Sequence, residues 1–503
     1  MCTYRRGSRL QAGRRRLRRK LVGVAVAALC APLAGCAVGP NFVRPAEPRA
    51  THYVPGGDAR MTVKARGVAQ RFTPGAQVAG DWWRLFGNHQ LEDIVAAALA
   101  ANPGLAAAQA SLRASEDSLR AGYGIFFPQA QADARGTRER TTPITLGDNV
   151  TGSIFNLFTL SASASYALDV FGGERRQLEA LGAQADEQRA TERATYVTLL
   201  ANVVNTVVAR AAYGAEIDAT QRLTALQREQ VRLARVQYRA GTQPYSDVLS
   251  LESQLASYQG AIPPLEQKRD QADDLLATLV GHTPAGWSAP EIALQQLKLP
   301  GTLPVSLPSA LVRQRPDILI AEAAVHAASA NIGVATAALL PSVTLDGAYS
   351  ANSLKTSQLF AAQGRAWSLG AGITAPLFEG GTLWYERKAA VETYRQTAAL
   401  YRQTVLAAFA QVADALRALD HDAAALRADD EAVSTARDAL HLQQVNYAAG
   451  LVTYLNVLNA DIQYHQAAIT DLEAVAQRYQ DTVALYVALG GGWWNVAQTT
   501  VSR

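Results

Sequence analysis

The chain says everything twice, and at a spacing of roughly 210 residues this self-similarity confines it to folds built from two copies of one unit. Asn102-Pro103-Gly104-Leu105 in NPGLAAAQA matches Arg315-Pro316-Asp317-Ile318 in RPDILIAEA. Phe126-Phe127-Pro128-Gln129 matches Leu339-Leu340-Pro341-Ser342, and LDVFGG at 168–173 answers PLFEGG at 376–381. VQYRAGTQPYSDVL, from Val236, aligns without a gap to VNYAAGLVTYLNVL, from Val445. These matches in one order predict a first repeat at 90–281 and a second at 308–489, joined by a linker at 282–307.

Each half reads as a helix (90–122 and 308–336), two short alternating segments, a very long helix, a tight turn and a shorter helix. In 158–168, Phe158, Leu160, Ala162, Ala164, Tyr166 and Leu168 share one face while Thr159, Ser161, Ser163 and Ser165 share the other. Trp367, Leu369, Ala371 and Ile373 alternate with Ser368, Gly370, Gly372 and Thr374 in the same way, and Val343, Leu345 and Tyr349 with Thr344, Asp346 and Ser350. The fourth segment, 129–138, places only alanines on the corresponding face. Apolar outside with small polar residues inside is what a membrane barrel enclosing water requires. Four strands cannot close a barrel, for which about eight is the practical minimum, and a bilayer tolerates no open sheet edge. Several chains must therefore share one barrel; three copies giving twelve strands is the simplest cyclic solution, and strand number alone also permits two or four chains.

From 174 to 240 there is no proline, and from 383 to 449 neither proline nor glycine, so at 1.5 Å per residue each helix reaches about 100 Å. Val405, Phe409, Val412, Leu416, Leu419, Ala423 and Leu426 step by four and three, as do Tyr196, Leu200, Val203 and Val207, the seam of a coiled coil. Gly241 and Gly450 end the two helices, and Tyr245 and Tyr454 follow four residues later where a new helix starts. The expectation is two antiparallel helical hairpins with sharp tips that project far from the strands.

The amino terminus reads as an export signal: a basic stretch, an apolar run from Leu21 to Leu33 too short to span a bilayer, then Leu33-Ala34-Gly35-Cys36. LAGC resembles the bacterial lipoprotein box, in which the peptide (here 1–35) is removed before the cysteine and its thiol is acylated. Cys36 is therefore the expected lipidation site, with palmitate-type chains as the anchor and 36–89 as a lipidated N-terminal segment. Residues 1–35 hold nine Arg or Lys and no acid; without them 38 basic side chains face 43 acidic ones, a net charge of −5. The formal +4 of the whole chain thus belongs to the leader, and nothing argues for a nucleic-acid partner. Cys2 and Cys30 leave with the leader, so one mature chain cannot form a disulfide. Position 37 is alanine, not the aspartate that marks inner-membrane retention.

No catalytic chemistry is legible. The seven histidines are scattered without metal-ligand spacing, so neither a metal site nor a cofactor is expected. The triple glycine at 490–492, opening a C-terminal tail of 490–503, precedes two tryptophans and not a helix, which makes a phosphate cradle a poor reading. Carboxylates on long amphipathic helices form a solvated face, and no pair stands out for acid and base work; the chain reads as a non-enzyme.

The phrases CAVGPNFVRP from Cys36, WWRLFG from Trp82, LPSALVRQRPDILIAEA from Leu307, PLFEGG from Pro376 and ALGGGW from Ala488 together resemble outer-membrane efflux lipoproteins of the NodT and OprM type, relatives of TolC, over essentially the whole mature chain. The resemblance implies an α+β membrane protein: a homotrimer with a twelve-stranded β-barrel in the outer membrane, continuous with a twelve-helix periplasmic α-barrel. It implies as partners a periplasmic adaptor (membrane fusion) protein, an inner-membrane pump of the RND type and outer-membrane lipid, and as function a passive exit duct for small molecules. A type I protein-secretion channel is the alternative on the same fold, and an envelope-tethering scaffold a third reading. The resemblance places the periplasmic aperture at Leu455 and Asn459, with Asn456 nearby; many relatives have an aspartate where this chain has Asn459, so the ring here is neutral. Asn459 also reads simply as a solvated helix residue. Adaptor contacts are expected at Gly241, Thr242, Gln243, Tyr245, Gly450, Leu451, Val452 and Tyr454. Asp247, the repeat partner of Asn456, either joins a tip network or caps the following helix.

Overall fold

The computed structural model describes residues 37–141 and 153–495. The leader 1–35, the lipidation site Cys36 and the end of the expected tail lie outside the described residues. Contacts divide the chain into two compact units, one from the amino terminus to 44 with 114–185 and 323–398, the other of 45–113, 186–322 and the residues from 399 onward.

The first unit carries an antiparallel sheet of four strands, β2 (Gln129–Thr141), β3 (Ser153–Leu168), β5 (Ser342–Ser353) and β6 (Arg365–Thr374), in the order β2-β3-β5-β6. The register pairs Leu168 with Val343, Tyr166 with Leu345 and Ala162 with Tyr349, then Tyr349 with Trp367 and Val343 with Ile373. Ala130, Ala132 and Ala134 pair with Ala164, Ala162 and Leu160, so the four apolar stripes form one face. On the opposite face Ser165 Oγ donates to Asp346 Oδ1 at 2.7 Å, and Thr159 Oγ1 to Asn352 Oδ1 at 2.9 Å. Because each strand alternates with period two, a slip of one residue would turn its apolar side chains onto the polar face. Among the described residues nothing covers the apolar face: Trp367, Leu369 and Ile373 are 78%, 82% and 74% exposed. Among the described residues the edge strands β2 and β6 have no neighbour on their outer sides.

In the same unit the residues just after Cys36 are strapped down. Val38 N donates to Phe171 O at 2.9 Å, and the buried Arg176 donates from Nε to Val38 O and from Nη2 to Asn41 Oδ1. Gly39 lies against Gly333, where a Cβ on Gly39 would meet the Gly333 Cα at 2.5 Å. Phe42 stacks on His326 at 4.2 Å, and His326 Nε2 shares a hydrogen bond with Glu179.

The second unit is built on helices, taking the two long ones from 186 and from 399 onward. α3 (Gly173–Arg239) and α4 (Tyr245–Leu279) form one hairpin, α7 (Thr382–Ala448) and α8 (Tyr454–Ala488) the other, with 67-residue and 35-residue helices in each. Leu200, Val203 and Val207 of α3 are buried, as are Val405, Val412, Leu416, Leu419, Ala423 and Leu426 of α7. Phe409 stays half-buried and meets the tilted ring of Tyr53 at 5.5 Å. The core continues into the segment after the N-terminal strap: Trp82 stacks on Tyr486 at 5.1 Å, and Phe86 meets Tyr479 at 5.9 Å.

Two expectations are corrected. The helices expected at 90–122 and 308–336 are each two: α1 (His89–Ala101) with α2 (Pro103–Gly122), bent by 43°, and α5 (Pro308–Gln314) with α6 (Pro316–Ala337). Proline restricts the residue before it to an extended conformation, and Asn102 and Arg315 both adopt it. Asn102 then caps α2 by accepting from Leu105 N while donating to Leu279 O, and Arg315 reaches Asp317, Gln411 and Ala488 O. The second correction concerns 36–89 and 282–307, where no strand was expected. β1 (Arg71–Pro74) and β4 (Thr302–Val305) pair there in parallel. Each is four residues long and contains a proline, so neither carries a periodic signal.

Candidate functional site

The tips of the two hairpins close by the same chemistry. Gly241 and Gly450 both adopt φ +73°, the left-handed conformation that glycine reaches without a Cβ clash. Gly241 N donates to Tyr238 O and Thr242 N to Gln237 O; Gly450 N donates to Tyr447 O and Leu451 N to Asn446 O. These bonds satisfy the last helical carbonyls of α3 and α7 in the Schellman pattern. Across each tip a tyrosine pair faces, Tyr238 with Tyr245 at 5.0 Å and Tyr447 with Tyr454 at 5.4 Å. Tyr238 and Tyr447 were missed as partners, although both stand in register in the repeated tip phrase.

Side chains at the tips remain available. Thr242 and Tyr245 are exposed, Val452 is half-buried and Leu451 is 75% exposed. Gln243 donates from Nε2 to Asp247 Oδ2 at 3.0 Å, while its buried Oε1 has no partner among the described residues. Asp247 lies in the first turn of α4, where a negative charge suits the helix N-terminus, and it also accepts from Ser246 Oγ. No side-chain bond caps that helix. In the second tip Thr453 Oγ1 donates to Asn456 Oδ1 at 2.7 Å.

Leu455 and Asn459 stand one turn apart on α8, Leu455 half-buried and Asn459 exposed. The Oδ1 of Asn459 accepts from Gln230 Nε2 of α3 at 3.1 Å, so the second hairpin is tied to the first at this level. Gln230 is 1% exposed and is the residue that sequence reasoning missed, because a lone glutamine inside a long helix carries no pattern of its own. Nearby Gln227 Nε2 donates to Leu251 O at 3.0 Å, tying α3 to α4.

Two acidic pairs come together that sequence spacing does not show. Glu216 of α3, 7% exposed, is pushed up to about 7 from 4.5 by burial and then by Glu473 of α8, with Lys268 of α4 opposing. Asp422 of α7 is raised by burial and by its contact with Asp481 of α8, with Arg478 opposing. An acid whose folded value lies above its unfolded one holds its proton more tightly in the fold, so stability falls as pH rises between the two. We expect melting temperature to fall between pH 4.5 and about 7 and Glu216→Gln to remove that part of the slope, with the variant matching wild type in acid and exceeding it above pH 7. A pH series of thermal melts on both proteins checks this; parallel curves would refute it.

The second unit also holds a cleft of about 1030 Å³ lined by Arg66, Arg210, Asp273, Arg437, His465 and Asp471. Its charges pair across the wall, Arg210 with Asp273 and Arg66 with the buried Asp471. Among the described residues no cluster of three or more His, Cys, Asp or Glu is placed to hold a metal ion.

Comparison with known proteins bears on this geometry. A family model described as outer membrane efflux protein matches residues 94–282 and 307–491. The chain is 31% identical over 425 residues to the pyoverdine export outer membrane protein OpmQ of Pseudomonas aeruginosa, covering 82% of this chain and 87% of that one. It is 30% identical over 489 residues to nodulation protein T of Rhizobium leguminosarum, covering 93% of each. The solved structure of the outer-membrane channel OprN superposes with a TM-score of 0.80 at 26% identity, covering 91% of this chain and 100% of that one.

Proposed function

The chain belongs to the outer membrane efflux protein family, and from that premise we propose that three copies close one twelve-stranded barrel and one periplasmic tube. The protein is an outer-membrane channel, the exit duct of a tripartite efflux system. The observation that carries the closed barrel is the open sheet: one apolar face runs from the strand-to-helix junctions across all four strands, and among the described residues that face is bare and β2 and β6 have unpaired outer edges. Unpaired backbone groups in hydrocarbon cost several kcal/mol each, so in a bilayer the β2 edge of one copy must meet the β6 edge of the next.

The rest of the reading follows the chain. Residues 1–35 are removed and Cys36 is acylated, with the strap at 38–42 holding the next residues beside the start of α3. The repeats 90–281 and 308–489 supply the strands and hairpins, with 36–89 and 282–307 pairing through β1 and β4 and 490–503 as the tail. A periplasmic adaptor docks on Gly241, Thr242, Gln243, Tyr245, Gly450, Leu451, Val452 and Tyr454, where Thr242, Tyr245 and Leu451 are exposed. The aperture is formed by Leu455, Asn456 and Asn459, with Gln230 as its bond across hairpins. The duct does no chemistry and takes its energy from an inner-membrane pump.

Purified acylated protein in a planar bilayer tests the proposal. Trimer mass, an intact mature mass beginning at acylated Cys36, and discrete conductance steps are the expected results. A correctly assembled preparation that never conducts refutes the duct.

A further inference from the structure

The lipid-facing side of the sheet does not stay apolar to its end. From the strand-to-helix junctions outward, the apolar face of β6 runs Ile373, Ala371, Leu369, Trp367 and then Arg365. On β2 the same face runs Ala130, Ala132, Ala134 and Gly136, then Arg138 and Arg140. The ring of Phe158, the partner of Gly136, lies over that glycine. β6 thus passes from aliphatic through aromatic to arginine, and β2 from alanine to arginine with the Phe158 ring of β3 beside the change, the order of a membrane core, its interfacial girdle and a headgroup layer. Above Phe158 the faces change character on β3 as well, with Asn156 outward and Leu157 inward.

Arginine on the lipid face of a barrel costs about 2–4 kcal/mol at the bilayer midplane and about 0–1 near the interface, so these three belong at the interface. All three are exposed. Arg365 donates one bond, from Nη2 to Phe360 O; no hydrogen bond or ion pair to a described residue engages the guanidinium of Arg138 or Arg140. Glu139, between them, has the parity of the polar face and cannot neutralise them from the lipid side. Arg138 and Arg140 are two residues apart on one face, about 7 Å, a spacing at which two guanidinium groups can clamp one phosphate.

We propose that Arg138, Arg140 and Arg365 form a basic collar that binds the phosphate groups of phosphorylated glycolipid in the outer leaflet. The inference rests on the trimer reading, which sets β2 of one copy beside β6 of the next and so brings the arginines of two chains to each seam. Arg138 and Arg140 repel each other on one face, and an anionic headgroup that binds them and reaches Arg365 of the next copy turns the repulsion into a tie between protomers.

Assembled full-length protein in non-ionic detergent is titrated with diphosphoryl lipid A and, separately, with the same lipid freed of phosphate, and the lipids retained per trimer are counted by native mass spectrometry. Wild type is expected to retain the phosphorylated lipid, to lose it in high salt, not to retain the phosphate-free form, and not to release it to an equal concentration of inorganic phosphate. Arg138→Gln with Arg140→Gln and Arg365→Gln should bind at least about tenfold more weakly, and the triple lysine variant should keep most of the binding. Arg135→Gln, on the same strand but the opposite face, should bind as wild type does. Equal retention of the two lipids by wild type, or undiminished binding by the glutamine variant, overturns the collar. If the glutamine variant fails to assemble, the lysine variant and the phosphate-free lipid decide the question. Failure of the underlying channel reading is separate and shows earlier, as absence of trimers or of conductance before any lipid is added.

Discussion

Replacing Leu455 and Asn459 together by alanine is expected to turn a channel that conducts in small, infrequent steps into one that conducts persistently. Asn459 accepts from Gln230 at 3.1 Å, and Gln230 is buried on α3, so the bond holds the second hairpin against the first beside the tips. A hydrogen bond of this kind contributes about 0.5–1.5 kcal/mol, and in the proposed trimer three copies acting together would bias a closed arrangement by about 1.5–4.5 kcal/mol. Losing that bias moves the open-to-closed ratio by about one to three orders of magnitude, and removing Leu455 also removes packing at the same level. Gln230→Ala alone should reproduce the effect of Asn459→Ala alone, since each breaks the same bond from one side. Single-channel recordings of the four proteins distinguish the outcomes. If wild type already conducts persistently, or Gln230→Ala is silent, the restriction lies elsewhere.

Arg478→Ala should be the most destabilising single change in the helical unit. Arg478 is 2% exposed on α8, donating from Nε to Gln70 Oε1 at 3.0 Å and from Nη2 to Thr62 Oγ1 at 3.3 Å. Gln70 in turn donates to Pro300 O and Thr482 Oγ1, and Tyr479 OH donates to Leu297 O. One buried cation thus joins α8 to the segments that flank β1 and β4. Removing one member of a buried charged network costs about 3–5 kcal/mol because the remaining polar groups stay desolvated without partners. Arg478→Lys keeps the charge but not the planar fork, and should fall between wild type and alanine. Asp422, whose carboxyl is raised by burial and by Asp481 with Arg478 opposing, should couple: Asp422→Asn with Arg478→Ala costs less than the sum of the singles. Thermal unfolding of the four proteins gives the cycle; strict additivity would show that the two charges do not interact.

Local pattern made much of this protein legible. The long helices, expected at 174–240 and 383–449, run 173–239 and 382–448, because nothing in either stretch breaks a helix and a glycine ends each. The strands were legible because alternation survives wherever one face meets lipid and the other water. At the site, the glycines and the tyrosines after them stood out in the repeated phrase, but Tyr238 and Gln230 did not. Arg478 and Glu216 resembled the solvated charges around them, since burial of one charged residue on a helix depends on what packs over it.

The sequence by itself determined the repeat, the identity and order of the principal elements, the two faces of the four alternating segments and the position of each tip, because these follow from periodicity and backbone restriction within a few residues. Only the tertiary structure decided the breaks at Asn102 and Arg315 as working caps, the pairing of β1 with β4, the bond from Gln230 to Asn459 and the burial of Arg478. Gln230 and Asn459 are 229 residues apart, and Gln70 and Arg478 are 408 apart. No local period encodes such meetings; they arise when two hairpins and the segments around them pack, and packing selects which polar side chains must find one another.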